Sequence, residues 1–254
     1  MKQTISFLLV FIGIQFAGGA VVQALWKLVT GSPDLTAAML ITTTAVVSII
    51  TIGIFLWARW AEVSPTWIRT RPWMTLLWST IAALGAIIPS MWLQEQIPTL
   101  PNWVESEFEM ILANRWGYLV IGLLAPFAEE IVFRGAILKS LLQSRLSVGA
   151  AVTLSAVLFA LIHFNPAQMP HAFLIGLLLG WMYQRTGSIL PSVAFHWVNN
   201  SVAYVMYNLY PNPDMKLADL FSGSQLHILL AVGFSLLILL PALYQLHLWM
   251  RRAA

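Results

Sequence analysis

The sequence predicts an all-α, polytopic membrane protein of about eight transmembrane helices. Apolar residues make up 59% of the 254 residues and charged residues only 9%, whereas about a quarter of the residues of a water-soluble domain are charged. The mean hydropathy of +0.79 agrees with this assignment. Because a helix needs about 20 apolar residues to cross a bilayer, residues 1–254 can hold eight spans with short connections as a single membrane domain.

Each span is placed on an apolar run that ends at charged residues or at a Pro or Gly cluster. The first run follows Lys2, and we interpret it as a retained span because no small-residue cleavage site clearly ends it. A Glu-rich stretch over 103–112 is expected to form a short amphipathic surface helix. The predicted spans are 5–26, 36–58, 73–93, 116–138, 148–164, 171–184, 189–209 and 226–250.

Basic residues are concentrated in alternate connections, which the positive-inside rule places in the cytoplasm. One set of connections holds nine Lys or Arg residues, and the other set holds three together with seven acidic residues. Both termini are therefore expected to be cytoplasmic, which requires an even number of spans. The nine basic residues are Lys2, Arg59, Arg69, Arg71, Lys139, Arg145, Arg185, Arg251 and Arg252.

The net charge of +3 does not indicate a nucleic-acid partner, because the basic residues are scattered singly along the connections. The chain has no cysteine, which excludes disulfides, thiolate chemistry and Cys-ligated metal. The lipid bilayer is the partner that the composition predicts.

Polar and ionisable residues inside predicted spans are functional candidates, because burying them in lipid is costly. In the fourth span, Glu130 and Arg134 are four residues apart on one helical face and predict a structural ion pair. Glu129 is rotated by about 100° from Glu130 and is expected to stay free. His163 in the fifth span is expected at a similar depth to Glu129.

His196 and Asn200 share one face of the seventh span, and they reach the other groups only if that span is tilted or recessed. Taken alone, His163 is equally well explained by a bond to a carbonyl, and Asn200 by an interhelical contact. Together with Glu129 they predict hydrolysis of a peptide bond, since a carboxylate and a His can activate water while a second His and an amide stabilise the oxyanion. No serine nucleophile is indicated.

Two polar side chains near these groups are given no chemical role. His171 lies at the start of a predicted span and is interpreted as interfacial. Asn199 is interpreted as an ordinary helix–helix contact.

The polar residues of the spans form three motifs in chain order, which are Glu129-Glu130-x-x-x-Arg134, Phe159-x-x-x-His163 and His196-x-x-x-Asn200. This set resembles the CPBP intramembrane protease family, also called the Abi family, which includes the type II CAAX prenyl endopeptidases. The resemblance covers about 115–209, the expected catalytic core. It implies an eight-span helical fold with a cavity open toward the cytoplasm. It also implies that Glu129 and His163 activate water and that His196 and Asn200 stabilise the oxyanion.

The resemblance leaves the metal and the substrate open. The family is often labelled metalloprotease, and Glu129, His163 and His196 are the candidate ligands of a three-ligand zinc site. The chain has no His-Glu-x-x-His motif, which favours activation of water without a metal. The short connections are typical of a bacterial plasma-membrane protein, so the expected substrate is a peptide or a membrane protein. The alternatives are a non-catalytic scaffold or bacteriocin-immunity protein of the same fold, and a transporter, which the asymmetric distribution of polar residues disfavours.

Overall fold

The computed structural model describes residues 2–64, 73–212 and 215–250, which form helices and connections without a β-strand. The predicted all-α class is confirmed for this part of the chain. Within it, four helices are long and apolar enough to cross a membrane, namely α1 (Lys2–Thr30), α2 (Ala37–Trp57), α3 (Trp73–Glu95) and α10 (Gln225–Trp249). The protein is therefore a helical membrane protein, while eight spans and cytoplasmic termini stay predictions.

The other helices are shorter or less apolar, and they include the segments that carry the three motifs. The amphipathic helix expected over 103–112 is present as α4. Helix α5 is a continuous run of four helical segments, Leu119–Leu124, Ala125–Glu130, Ile131–Leu138 and Lys139–Leu142. The remaining helices are α4 (Glu105–Leu112), α6 (Val148–Leu161), α7 (Met169–Thr186), α8 (Leu190–Leu209) and α9 (Leu217–Leu220).

Local side-chain chemistry sets where several helices begin and end. The hydroxyls of Thr36, Ser147 and Ser224 each accept a hydrogen bond from the backbone N–H three residues later, at the starts of α2, α6 and α10. Gly31 has φ of 74° and Gly187 has φ of 67°, a left-handed conformation that ends a helix at little cost for glycine. Because Gly31 is the residue that ends α1, the helix runs past the predicted boundary at 26 to 30.

The connections between helices contact one another in two separate groups. In one group, Lys139 Nζ lies 3.7 Å from Glu62 Oε1, and Arg185 donates a hydrogen bond of 3.2 Å to a carbonyl near the end of α10. In the other group, the Asn165 amide donates to Asn102 Oδ1 over 2.8 Å. We call the first group the basic end and the second, formed by connections 96–104 and 162–168, the opposite end. The orientation prediction also uses four residues outside the described ranges, namely Arg69, Arg71, Arg251 and Arg252.

Helix α5 lies at the centre of the fold, and all its side chains from Ile131 to Leu138 are buried. Helix α10 instead turns large apolar side chains outward, with Phe234 65% exposed and Leu237 70% exposed. An apolar outer surface of this kind is what acyl chains solvate.

Candidate active site

Arg134 ties three helices together inside the core. Its Nη1 lies 2.9 Å from Glu130 Oε1, and both side chains are fully buried. Its Nη2 donates to the carbonyl of Gly176 in α7 over 3.3 Å, and its guanidinium carbon lies 4.3 Å from the ring centre of Phe159 in α6. Such a desolvated cation–π contact is worth about 2 kcal/mol, so the first motif is held rigidly against the second.

His196 lies between the two glutamates. Its Nδ1 is 3.0 Å from Glu130 Oε1, and its Nε2 is 3.8 Å from Glu129 Oε2. Because Oε1 of Glu130 accepts from Arg134 and faces Nδ1 of His196, we assign the donor hydrogen to Nδ1, which orients Nε2 toward Glu129. The Glu129 side chain is 20% exposed while Glu130 is fully buried, so only the first carboxylate is accessible to a reactant. Helix α8 thus brings His196 to the glutamates, although the sequence predicted a different depth in the membrane for His196.

His163 lies outside the helix that was predicted to carry it. Helix α6 ends at Leu161 and not at 164, and the backbone of Phe164 is left-handed with φ of 48°. In the following turn, His163 Nδ1 lies 2.8 Å from the carbonyl oxygen of Phe159. The Phe159 ring contacts His163 at a centroid distance of 5.1 Å and His196 at 5.8 Å, both edge to face. Phe159 therefore joins the two imidazoles, and no hydrogen bond links His163 to Glu129 among the described residues.

Asn200 makes a contact that follows from a proline. Near Ile121 the turns of α5 are wide, and the backbone N–H of Ala125 bonds the carbonyl five residues back. The carbonyl of Ile121 would be the next acceptor, but Pro126 has no N–H to donate. Asn200 Nδ2 donates to this carbonyl over 3.1 Å instead, and its Oδ1 accepts from Asn199 over 3.2 Å. Asn200 is therefore an interhelical contact, and its second amide hydrogen is the one left for chemistry.

His171 and Asn199 belong to the same polar group, although the sequence predicts no chemical role for either of them. Their side chains are hydrogen-bonded, and His171 is close enough to His163 and His196 for electrostatic interaction. The interfacial prediction for His171 stays a prediction, and the structure adds that its side chain bonds Asn199 of α8. The signal was the spacing of Asn199, three residues after His196 on nearly the same helical face.

A cavity of about 610 Å³ lies beside this group, with His171 and Asn199 among its lining residues. The cavity is also lined by seven residues within 94–102 and by residues 167 and 168, so it lies at the opposite end of the fold from Lys139 and Arg185. The resemblance implied a cavity open toward the cytoplasm, and the charge distribution placed the basic end there. Because the cavity lies at the end opposite to the basic end, it cannot open toward the cytoplasm if the basic end is cytoplasmic.

The candidate zinc ligands do not fit a three-ligand site. No three His, Cys, Asp or Glu side chains within residues 2–64, 73–212 and 215–250 are arranged to hold a metal ion. Glu129 and His196 approach each other, but His163 does not complete a group of three ligands with them in the described residues. Structural and catalytic zinc sites need at least three convergent protein ligands.

Comparison with known proteins agrees with the motifs. Residues 111–202, which contain all three motifs, match the family model described as type II CAAX prenyl endopeptidase Rce1-like. The UPF0177 protein YxdF of Lactococcus lactis subsp. lactis (strain IL1403) is 29% identical over 104 residues, which are 40% of this chain. The chain spans about half the length of this curated relative, 51%.

No solved structure matches the chain. The family match supports an intramembrane CAAX-type protease fold. Residues 111–202 are thus similar to the Rce1-like type II CAAX prenyl endopeptidases, which confirms the family resemblance of the three motifs.

Proposed function

We propose that this protein is an intramembrane endopeptidase that hydrolyses a peptide bond with a water molecule activated by Glu129. The observation that carries the proposal is the position of His196, whose two ring nitrogens face Glu130 and Glu129. The buried Glu130–Arg134 pair orients this imidazole, so that the accessible carboxylate and the imidazole face one small region. The family match of residues 111–202 supports the same reaction class.

The distance between Glu129 and His196 suits a shared water. At 3.8 Å, Oε2 and Nε2 are too far apart for a direct hydrogen bond, but both can bond one water molecule between them. Glu129 accepts a proton from this water as its oxygen bonds to the carbonyl carbon of the substrate. The proton then passes to the leaving amine as the C–N bond breaks. His163, with Nδ1 held by Phe159, presents Nε2 as the acceptor for the second hydrogen of the water when Nε2 of His196 is protonated.

The oxyanion of the tetrahedral intermediate needs hydrogen-bond donors. We assign this role to Asn200, through the amide hydrogen that does not bond Ile121, and to His196. Because Nδ1 of His196 already donates to Glu130, His196 donates from Nε2 to the oxyanion only if it enters the reaction with both ring nitrogens protonated, since the proton of the water passes to Glu129.

The setting of the reaction is part of the proposal. We place the protein in a bacterial plasma membrane with eight spans, with both termini in the cytoplasm and with residues 115–209 as the catalytic core. Its substrate is a peptide or a membrane protein.

The second candidate is a non-catalytic scaffold or bacteriocin-immunity protein of the same fold. The observation that favours it is that both ends of the Asn200 amide are used for contacts within the fold. If Glu129→Ala and His163→Ala leave cellular function intact while the protein still inserts, the scaffold is the better account.

The experiment that tests the protease is a comparison of membrane peptides between strains carrying the wild type, E129Q and the control E107Q. Glu107 lies on α4 and bonds its neighbour Ser106, away from the glutamate pair. We expect uncleaved peptides to accumulate with E129Q alone. Equal peptide profiles in all three strains would contradict the proposal.

A further inference from the structure

The cavity beside the polar group has the size and position of a substrate-binding site. Its volume of about 610 Å³ falls within the range typical of ligand pockets, about 300–1,000 Å³. Its lining includes His171 and Asn199, which bond each other, and Asn199 also donates to Asn200 of the candidate active site. Asn199 lies three residues from His196, about one helical turn. A chain bound in the cavity would therefore need only a few more residues to reach Glu129.

The walls of the cavity are largely apolar. Met91 of α3, Phe108 and Leu112 of α4, and Met206 and Tyr207 of α8 line it from three sides. Met and aromatic side chains adapt to apolar groups of different shape. These walls suit aliphatic or aromatic side chains of an extended peptide.

The same cavity is acidic where it meets the connections of the opposite end. Glu95, Glu105 and Glu109 line it, against Lys216 as the basic lining residue. In the described part of the chain, none of the three carboxylates forms an ion pair. Glu105 and Glu109 are four residues apart on α4, a like-charge spacing that weakens a helix. An occupant with a positive charge would relieve this repulsion.

We infer that the cavity binds an apolar peptide segment that carries a Lys or Arg residue on the side facing Glu105 and Glu109. The inference rests on the proposed function, and it adds the class of substrate and the end of the fold from which it enters. The substrate approaches from the opposite end, away from Lys139 and Arg185. The apolar part of the peptide lies against α3, α4 and α8. His171 and Asn199 contact the peptide where it passes toward Glu129.

The test is a binding experiment with full-length E129Q in a neutral detergent, so that the result does not depend on cleavage. The probes are three acetylated and amidated peptides of Leu, Ala and Met that end in Lys, Gln or Glu. At low salt we expect the Lys peptide to bind ~10-fold more tightly than the Glu peptide, and the ratio to shrink in salt of about 0.5 M. The E105Q/E109Q variant should lose most of this ratio.

E107Q is the matched control, because Glu107 lies on the same helix, has the same charge and does not line the cavity. It should keep the preference for Lys. The inference is overturned if the three peptides bind equally, if E105Q/E109Q keeps the preference, or if E107Q loses it equally. If the E105Q/E109Q variant fails to fold, the E109Q variant takes its place in the same comparison. Selective binding without cleavage by the wild type would refute the protease and leave this site standing.

Discussion

The hydrogen bond from Asn200 to Ile121 predicts an energetic coupling between Asn200 and Pro126. Replacing Asn200 with Ala leaves the buried carbonyl of Ile121 without a donor, since Pro126 has no N–H. In the P126A background, the new backbone N–H of residue 126 can occupy the position of the missing donor. Asn200→Ala should therefore be costly in the wild type and nearly neutral in P126A.

The magnitude follows from the chemistry of the bond. An acceptor left unsatisfied costs about 1–3 kcal/mol, and interhelical hydrogen bonds in membranes average about 0.6 kcal/mol with a maximum of about 1.7 kcal/mol. In the wild-type background, we expect N200A to lower the free energy of unfolding by about 1–1.5 kcal/mol. In the P126A background, we expect the same substitution to lower it by less than about 0.5 kcal/mol. The difference is the coupling energy of a double-mutant cycle, measured by equilibrium unfolding in mixed micelles.

Asn208 provides the control, because its amide donates over 3.0 Å from the same helix to the carbonyl of Leu112. N208A should cost the same in both backgrounds. A peptide-cleavage assay distinguishes the structural role of Asn200 from its role as an oxyanion donor, because loss of an oxyanion donor lowers kcat by about 10²–10³. P126A/N200A should recover stability and not activity. A coupling energy of zero would refute the assignment of the Ile121 carbonyl, and recovery of activity together with stability would refute the oxyanion role.

The other predictions concern the charge cluster, the helix packing and the metal. E130Q should destabilise the fold by about 3–5 kcal/mol, because Arg134 would remain as an unpaired buried charge. E129Q should change the unfolding midpoint little. Equal midpoints for the two variants would contradict the assignment of a structural role to Glu130 and a chemical role to Glu129. Gly85→Ala should destabilise the packing of α3 on α10, because its Cβ would lie 2.7 Å from the backbone nitrogen of Leu239, and thermal unfolding unchanged from the wild type would argue against that packing. Purified active protein should contain no stoichiometric zinc by elemental analysis, and one zinc per chain would overturn metal-independent activation.

The helices and the three motifs could be predicted because they depend on local features. Apolar runs and their boundaries predicted the positions of most helices, and the four-residue spacing of Glu130 and Arg134 put them on one face. The same rule paired His196 with Asn200. These inferences need only helical periodicity and the cost of burying charge in lipid.

The contacts across the site could not be predicted in this way, because they depend on departures from regular helix. The wide turns of α5 and the missing N–H of Pro126 give Asn200 its acceptor, and a regular α-helical wheel contains neither. The early end of α6 places His163 in a turn. The contact of His171 with Asn199 could not be predicted because the two residues lie on different helices. Wide turns of this kind are frequent at functional sites.

The central claim is that Glu129, oriented toward a buried His196, activates the water that cleaves a peptide. The most direct measurement is cleavage, by purified full-length protein, of the peptides that accumulate in the E129Q strain. We predict that the wild type and H227A, which changes an exposed His at the start of α10, cleave them at equal rates. E129Q and H196A should be slower by about 10²–10⁴, with unchanged unfolding of E129Q. Cleavage by E129Q at the wild-type rate would contradict the account.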